Sequence, residues 1–369
     1  MIGFKKSRVW LSAVGAVVAL TALVLSFAGP AGSITRAEAQ LESLKPEDFD
    51  RPEWTIDVGL HIENIHQFSM KDKVYFVEGW YWLRWPAAIQ KIIETKKIEL
   101  TKIIEFSNQV ENTSFSNETD TSNPEDLDGN LKYQLFRFSG KFYVDDLTLH
   151  KSPFETFALP VIIETREDAL SCYTGGPECV YLRPDPENEQ EVVGEYAGIN
   201  GFKLTGSFIV PYIHQYGTNF GVGHPSAFGR VEFGITYKTD FWSAFIQSVL
   251  PVLIILAFVL VSPSLPSSMG DVRLAIPATA LLTLIFLQQT YRSEIPSLSY
   301  LTFMDWLYAF AYVVSMSLFV LFCWGTYRYT VASEDDQPVI VARIARIDRT
   351  FQVAAVVGLG LTVLLAWQL

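Results

Sequence analysis

Cysteine and histidine are scarce in this chain, with three and five copies in 369 residues. No second pair of Cys or His lies at ligand spacing near Cys172 and Cys179, which argues against zinc. A glycine-rich phosphate loop, a His-Glu-x-x-His metal helix and a nucleophile elbow are also missing, so no catalytic residue, metal or cofactor is expected and the chain does not read as an enzyme. The acidic run Glu125-Asp126-Leu127-Asp128 lacks the spacing of an EF-hand. Positive charge is in short supply too: 28 Lys and Arg stand against 40 Asp and Glu, a formal charge of -12. From Gln40 to Asp240 the counts are 32 acidic and 18 basic. A field of that sign attracts cations and repels polyanions, which excludes nucleic acid as a partner.

What the chain has in quantity is apolar surface, 49% of its residues, and its mean hydropathy is positive despite the charge. The two characters are segregated. Residues 241–369 hold four apolar spans, Phe241 to Val261, Val272 to Thr290, Phe303 to Trp324 and Phe351 to Trp367, each near the ~20 residues that cross a bilayer. At the other end, Lys5, Lys6 and Arg8 precede the apolar run Val9 to Ala28, and Ala37-Glu38-Ala39 supplies small residues before Gln40. Residues 1–39 therefore read as a signal peptide, the alternative being an uncleaved fifth span. Cleavage leaves the segment from Gln40 to Asp240 outside the plasma (inner) membrane, extracellular or periplasmic. Arg328, Arg343, Arg346 and Arg349, around the link between the third and fourth spans, agree by the positive-inside rule.

The exterior part reads as β structure. Ile56 to Ile62, Val74 to Trp85, Leu131 to Tyr143, Phe157 to Glu164, Phe202 to Ile213 and Gly229 to Tyr237 are rich in β-branched and aromatic residues. About two hundred residues of this kind suggest one antiparallel, immunoglobulin-like sandwich, giving an all-β exterior followed by an all-α four-helix transmembrane domain. The polar run Asn112 to Asn130 reads as a long loop. Cys172 and Cys179 flank a turn-rich segment and stand either as a disulfide or as two free thiols; Cys323 reads as a packing residue.

The second span carries a polar stripe. Asp271, Ala275, Thr279, Leu282, Phe286 and Gln289 follow one another in steps of four, four, three, four and three, the period that keeps one helix face aligned. A helix surrounded by lipid gains nothing from such a gradient. Several copies around an axis would form an ion path with a hydrophobic constriction. Pro277 lies within the span, as a bend that shapes it or as a tolerated membrane proline.

The order of parts resembles the pentameric ligand-gated ion channels, the Cys-loop receptor superfamily, in its prokaryotic form. Phe138-Ser-Gly-Lys-Phe142 followed by Leu149-His-Lys-Ser-Pro-Phe-Glu-Thr-Phe-Ala-Leu159 is similar to the family's signature loop, with Ser152 for the usual aromatic, Glu155 for Asp and neither loop cysteine. Trp80-Tyr-Trp-Leu-Arg-Trp85 resembles the second strand, Pro251 the proline of the first span, and Ile295 to Asp305 the linker between the second and third spans.

The resemblance implies a homopentamer in membrane lipid that passes monovalent cations. Asp271 would form a ring of carboxylates at the cytoplasmic mouth, Ala275, Thr279 and Gln289 would line the pore, and Leu282 with Phe286 would be the gate. Arg273, two residues from Asp271, should point away from the axis at ~100° per residue. The family's agonist site lies between subunits in a box of aromatics. Its candidates here are Trp80, Trp82, Tyr212, Tyr216 and Phe220, with Arg166 near the position where animal receptors place a Trp; for each aromatic, packing within the sandwich is the alternative. The gating ligand is a small molecule, a proton or a divalent ion. Coupling would run through Glu155, Lys238, Pro296 and Tyr300. The competing expectation is a membrane-anchored solute-binding or adhesion module that does not conduct.

Overall fold

The computed structural model describes residues 51–127, 130–145, 147–171, 179–186, 192–218, 221 and 227–368. The signal-peptide reading therefore lies outside the described residues, as do Cys172 and Phe220. The chain divides into two units. Of the described residues, those from Arg51 to Thr148 together with Thr156–Asp240 form one; Leu149–Glu155 together with those from Phe241 onward form the other.

The first unit is β-rich. Its strands are β1 (Thr55–Ser69), β2 (Val74–Pro86), β3 (Ile104–Phe106), β4 (Gln109–Val110), β5 (Ser116–Thr119), β6 (Glu125–Leu127), β7 (Leu131–Tyr143), β8 (Thr156–Thr165), β9 (Tyr181–Pro184), β10 (Val193–Tyr196), β11 (Phe202–Gln215) and β12 (Ala227–Thr239). One sheet runs β10-β1-β2-β7-β4, with β5 and β6 also paired to β7 and β9 to β1; the other runs β11-β12-β8-β3. Burial alternates strictly along β2, so Tyr75, Val77, Tyr81, Leu83 and Trp85 enter the core while Trp80, Trp82 and Arg84 face out. This is the period of two that any strand imposes on its side chains. Aromatics join the sheets: Tyr81 stacks on Phe136 at 4.5 Å and meets Phe106 of the second sheet edge-on at 5.4 Å, while the Tyr75 hydroxyl donates to the Pro160 carbonyl.

Two details differ from the sequence reading. The run expected as a loop holds β5 and β6, because β7 offers their polar backbones a ladder that their side chains do not advertise. The unit also contains a helix, α1 (Ala87–Lys96), which buries Ile89 and Ile93 one turn apart directly after Pro86. Among the cysteines, Cys179 is disulfide-bonded and Cys323 is free and exposed.

The second unit has four helices long and apolar enough to cross a bilayer, as in a multi-pass membrane protein: α2 (Phe241–Ser264), α3 (Gly270–Glu294), α4 (Phe303–Thr330) and α5 (Gln337–Gln368). α4 is the most buried and α5 the least. Val259, Ala280, Leu318, Phe322 and Ala355, drawn from all four helices, form one apolar cluster. α4 begins with a capping box in which the Thr302 hydroxyl accepts from the Asp305 backbone N–H and the Asp305 carboxylate accepts from that of Thr302. α5 starts well before its apolar stretch, so Arg343, Arg346 and Arg349 lie within the helix, not in the link before it.

Candidate functional site

α3 is continuous through Pro277 and has two opposed faces. Arg273, Pro277, Ala280, Leu284 and Tyr291 are buried against the other helices, whereas Asp271, Ala275, Thr279, Leu282, Phe286 and Gln289 are all exposed. At ~100° per residue the exposed six fall within an arc of about 80°, roughly opposite the buried five. The helix is locked in this rotation at both ends. Near its start, a Cβ on Gly270 would come within 2.8 Å of Thr326, so only glycine admits the close approach of α4. Near its end, Tyr312 donates to Gln288 at 2.8 Å, and Arg292 pairs with Asp305 at 2.7 Å. Pro277 therefore faces the bundle. Leu282 and Phe286 are left 56% and 65% exposed, in line with a carboxylate, a hydroxyl and an amide on the same face.

The segment Leu149–Glu155 packs with the helices, its Ser152–Pro153 bond cis. The Leu149 N–H donates to the Tyr300 hydroxyl at 2.9 Å, and the Phe303 N–H donates to the His150 carbonyl at 2.8 Å. The His150 and Tyr300 rings stack at 3.9 Å. Phe154 sits among Phe241, Phe303 and Trp367, at centroid distances of 5.0, 5.9 and 5.8 Å, and so touches the start of α2, the start of α4 and the end of α5. Glu155 is buried, and desolvation raises its carboxyl above the ordinary value although a backbone hydrogen bond and Ser152 work against that shift. Pro296 is buried in the α3–α4 link. Lys238, exposed near the end of β12, belongs to the other unit.

In the first unit, a charged row crosses the outward face of the β11-β12-β8-β3 sheet. Tyr212 is paired in register with Arg230, Arg230 with Glu164, and Glu164 with Glu105. Glu164 is 1% exposed and binds the Arg230 guanidinium, and the Tyr216 hydroxyl donates to it at 2.7 Å. Arg230 lies over the rings of Tyr212 and Tyr216 at 5.8 and 5.9 Å. Burial lowers the Arg230 pKa, but the Glu164 charge and Tyr212 more than offset this and it ends above its ordinary value. Tyr216 titrates high because of burial and the adjoining Glu164. Glu105 is raised by burial and then by Glu164, against the pull of Arg166 and Arg230.

Arg166, exposed beside Glu105 at 3.9 Å, lines a cavity of about 320 Å³ with Phe106, Phe115, Gln109 and Asn117. Tyr212, Tyr216 and Arg166 thus share one end of one sheet with Glu164, Arg230 and Glu105, three residues the sequence reading did not single out. Trp80 and Trp82 lie elsewhere, on the outward face of the other sheet. Trp80 stacks on Arg137 at 5.6 Å, and the Trp82 indole donates to Asp185 at 2.6 Å. No protein-family model and no curated protein matches the chain.

Proposed function

We propose that this chain is one subunit of a homopentameric, cation-conducting, ligand-gated channel, with its β-rich unit an immunoglobulin-like extracellular sandwich and α3 lining the pore of a plasma (inner) membrane protein. The observation that carries this reading is the exposed stripe of α3. Asp271, Thr279 and Gln289 stand on the side of an apolar span that the chain's own helices leave uncovered. Intramembrane polar groups are costly against lipid and belong beside water or protein. Five such faces around an axis satisfy both requirements, with Leu282 and Phe286 forming a ring that expels water when it closes.

The segment Leu149–Glu155, clamped to Tyr300 and the helix starts, supports coupling at that end of the bundle. The row around Glu164, with the cavity beside Glu105 and Arg166, supports ligand recognition in the β-rich unit. An exposed guanidinium and a half-buried carboxylate on one wall suit a small zwitterion better than a simple amine. An anchored binding module would give no reason for the α3 stripe. The test is the mass of the detergent-solubilised protein together with the reversal potential of reconstituted protein under a NaCl gradient, across a ligand and pH screen. A pentamer with a reversal potential on the sodium side is the expected result. A monomer that passes no current under any stimulus would sink the proposal.

A further inference from the structure

Two opposite charges stand two residues apart at the start of α3, and the fold treats them differently. Asp271 is on the exposed face, whereas Arg273 is 3% exposed. Three parts of the helical unit hold the Arg273 guanidinium. Its Nη2 pairs with Asp348 Oδ2 on α5, its plane lies over the Phe322 ring of α4 at 4.3 Å, and its Nη1 reaches Ser267 Oγ in the α2–α3 link at 3.4 Å. Asp348 is itself 3% exposed and is the only acidic residue of α5. Its neighbours Arg346 and Arg349 are exposed, so among these charges the carboxylate alone turns inward.

We infer that Asp348 determines the charge selectivity of the pore without touching it, by neutralising Arg273 inside the bundle so that Asp271 is the net charge α3 presents at this end. The inference rests on the channel reading. A helix with its side chains is about 10 Å across, so a guanidinium on the far side of α3 is about that far from the exposed face. An uncompensated unit charge at about 10 Å, with an effective dielectric of about 20, changes the local concentration of a monovalent ion by roughly tenfold, and five subunits would act together. With its counter-ion in contact, Arg273 presents only a dipole across that distance. Asp348 is thus a positioning residue for charge, and Arg273 is the group it silences.

The test compares reversal potentials under a tenfold NaCl gradient for full-length wild type, Asp348→Asn, Asp348→Glu and the double variant Arg273→Gln/Asp348→Asn, all reconstituted in liposomes. Wild type should reverse on the sodium side. Asp348→Asn should move toward the chloride side, with the sodium-to-chloride permeability ratio falling by roughly a hundredfold or more, about tenfold from each ion. Asp348→Glu, which retains the charge, and the double variant, which removes both charges, should stay with wild type. Should Asp348→Asn fail to assemble, the double variant still decides, because displacement of its reversal potential toward chloride overturns the inference. Asp348→Asn conducting with an unchanged reversal potential overturns it too, and leaves the channel reading standing. A wild type silent under every stimulus removes the channel reading and this inference together.

Discussion

Glu164→Gln isolates one physical quantity, the cost of leaving a buried guanidinium without its counter-ion. Glutamine matches glutamate in size, so no cavity opens and the change is electrostatic. Glu164 is 1% exposed and Arg230 8%, and the carboxylate also accepts hydrogen bonds from Tyr216 at 2.7 Å and Ser107 at 3.4 Å. Breaking a buried pair from one side costs about 3–5 kcal/mol, well above the net value of one hydrogen bond. Arg230→Met strands the carboxylate and should cost a similar amount. The double variant Glu164→Gln/Arg230→Met strands neither charge and should recover much of the loss, ending nearer wild type than either single does, so the coupling is at least the cost of one single change, about 3–5 kcal/mol.

Hydrogen exchange of the full-length protein in detergent, followed on peptides from β8 and β12, reads this directly. At about 1.4 kcal/mol per decade, each single variant should raise the opening equilibrium by roughly two to three and a half decades, with the double variant in between. A single variant within about 1 kcal/mol of wild type, or a double variant equal to the sum of the singles, would show that the pair is solvated and that the buried-charge argument is wrong.

Glu155→Gln should flatten the pH dependence of helical-unit stability. The folded-state pKa of Glu155 is raised by burial above the ordinary 4.5, so the folded chain keeps a proton that the unfolded chain has lost. Stability is therefore greatest below 4.5 and declines as pH rises through the raised value; thermal melts across mildly acid pH that slope equally in both proteins would refute this. Gly59→Ala should displace Trp82, because the added Cβ would sit 2.0 Å from the indole ring. The expected cost is about 1–3 kcal/mol, with a red-shifted tryptophan emission as Trp82 leaves Asp185; an unshifted spectrum counts against it. Leu282→Ala should ease opening, seen as a lower stimulus threshold in liposome currents, whereas interhelical packing alone would leave the threshold in place.

The long strands were legible because alternating β-branched and aromatic residues announce a half-buried sheet. The short ones were not. Gln109–Val110, Ser116–Thr119 and Glu125–Leu127 carry no such pattern, and they are strands because β7 has edges to offer. The α3 stripe was legible for the reason the long strands were: a helical period records which residues share a face. Partners far apart in sequence leave no periodic trace, so Glu164 and Arg230, 66 residues apart, were not singled out.

Arg273 and Asp348 are a more instructive omission, because period alone exposes them once each is compared with its own helix. Arg273 falls in phase with Pro277, Ala280 and Leu284, all buried on α3. Asp348 falls in phase with Ile344 and Ala355, both buried on α5. One cation and one anion thus occupy bundle-facing positions of two different apolar helices, where either alone would be prohibitively costly. The phase of each charge demands a partner, and each is the partner the other requires. A charge on the apolar phase of a membrane helix is therefore a statement about tertiary contact, in the same way that a polar group on the opposite phase of α3 is a statement about water.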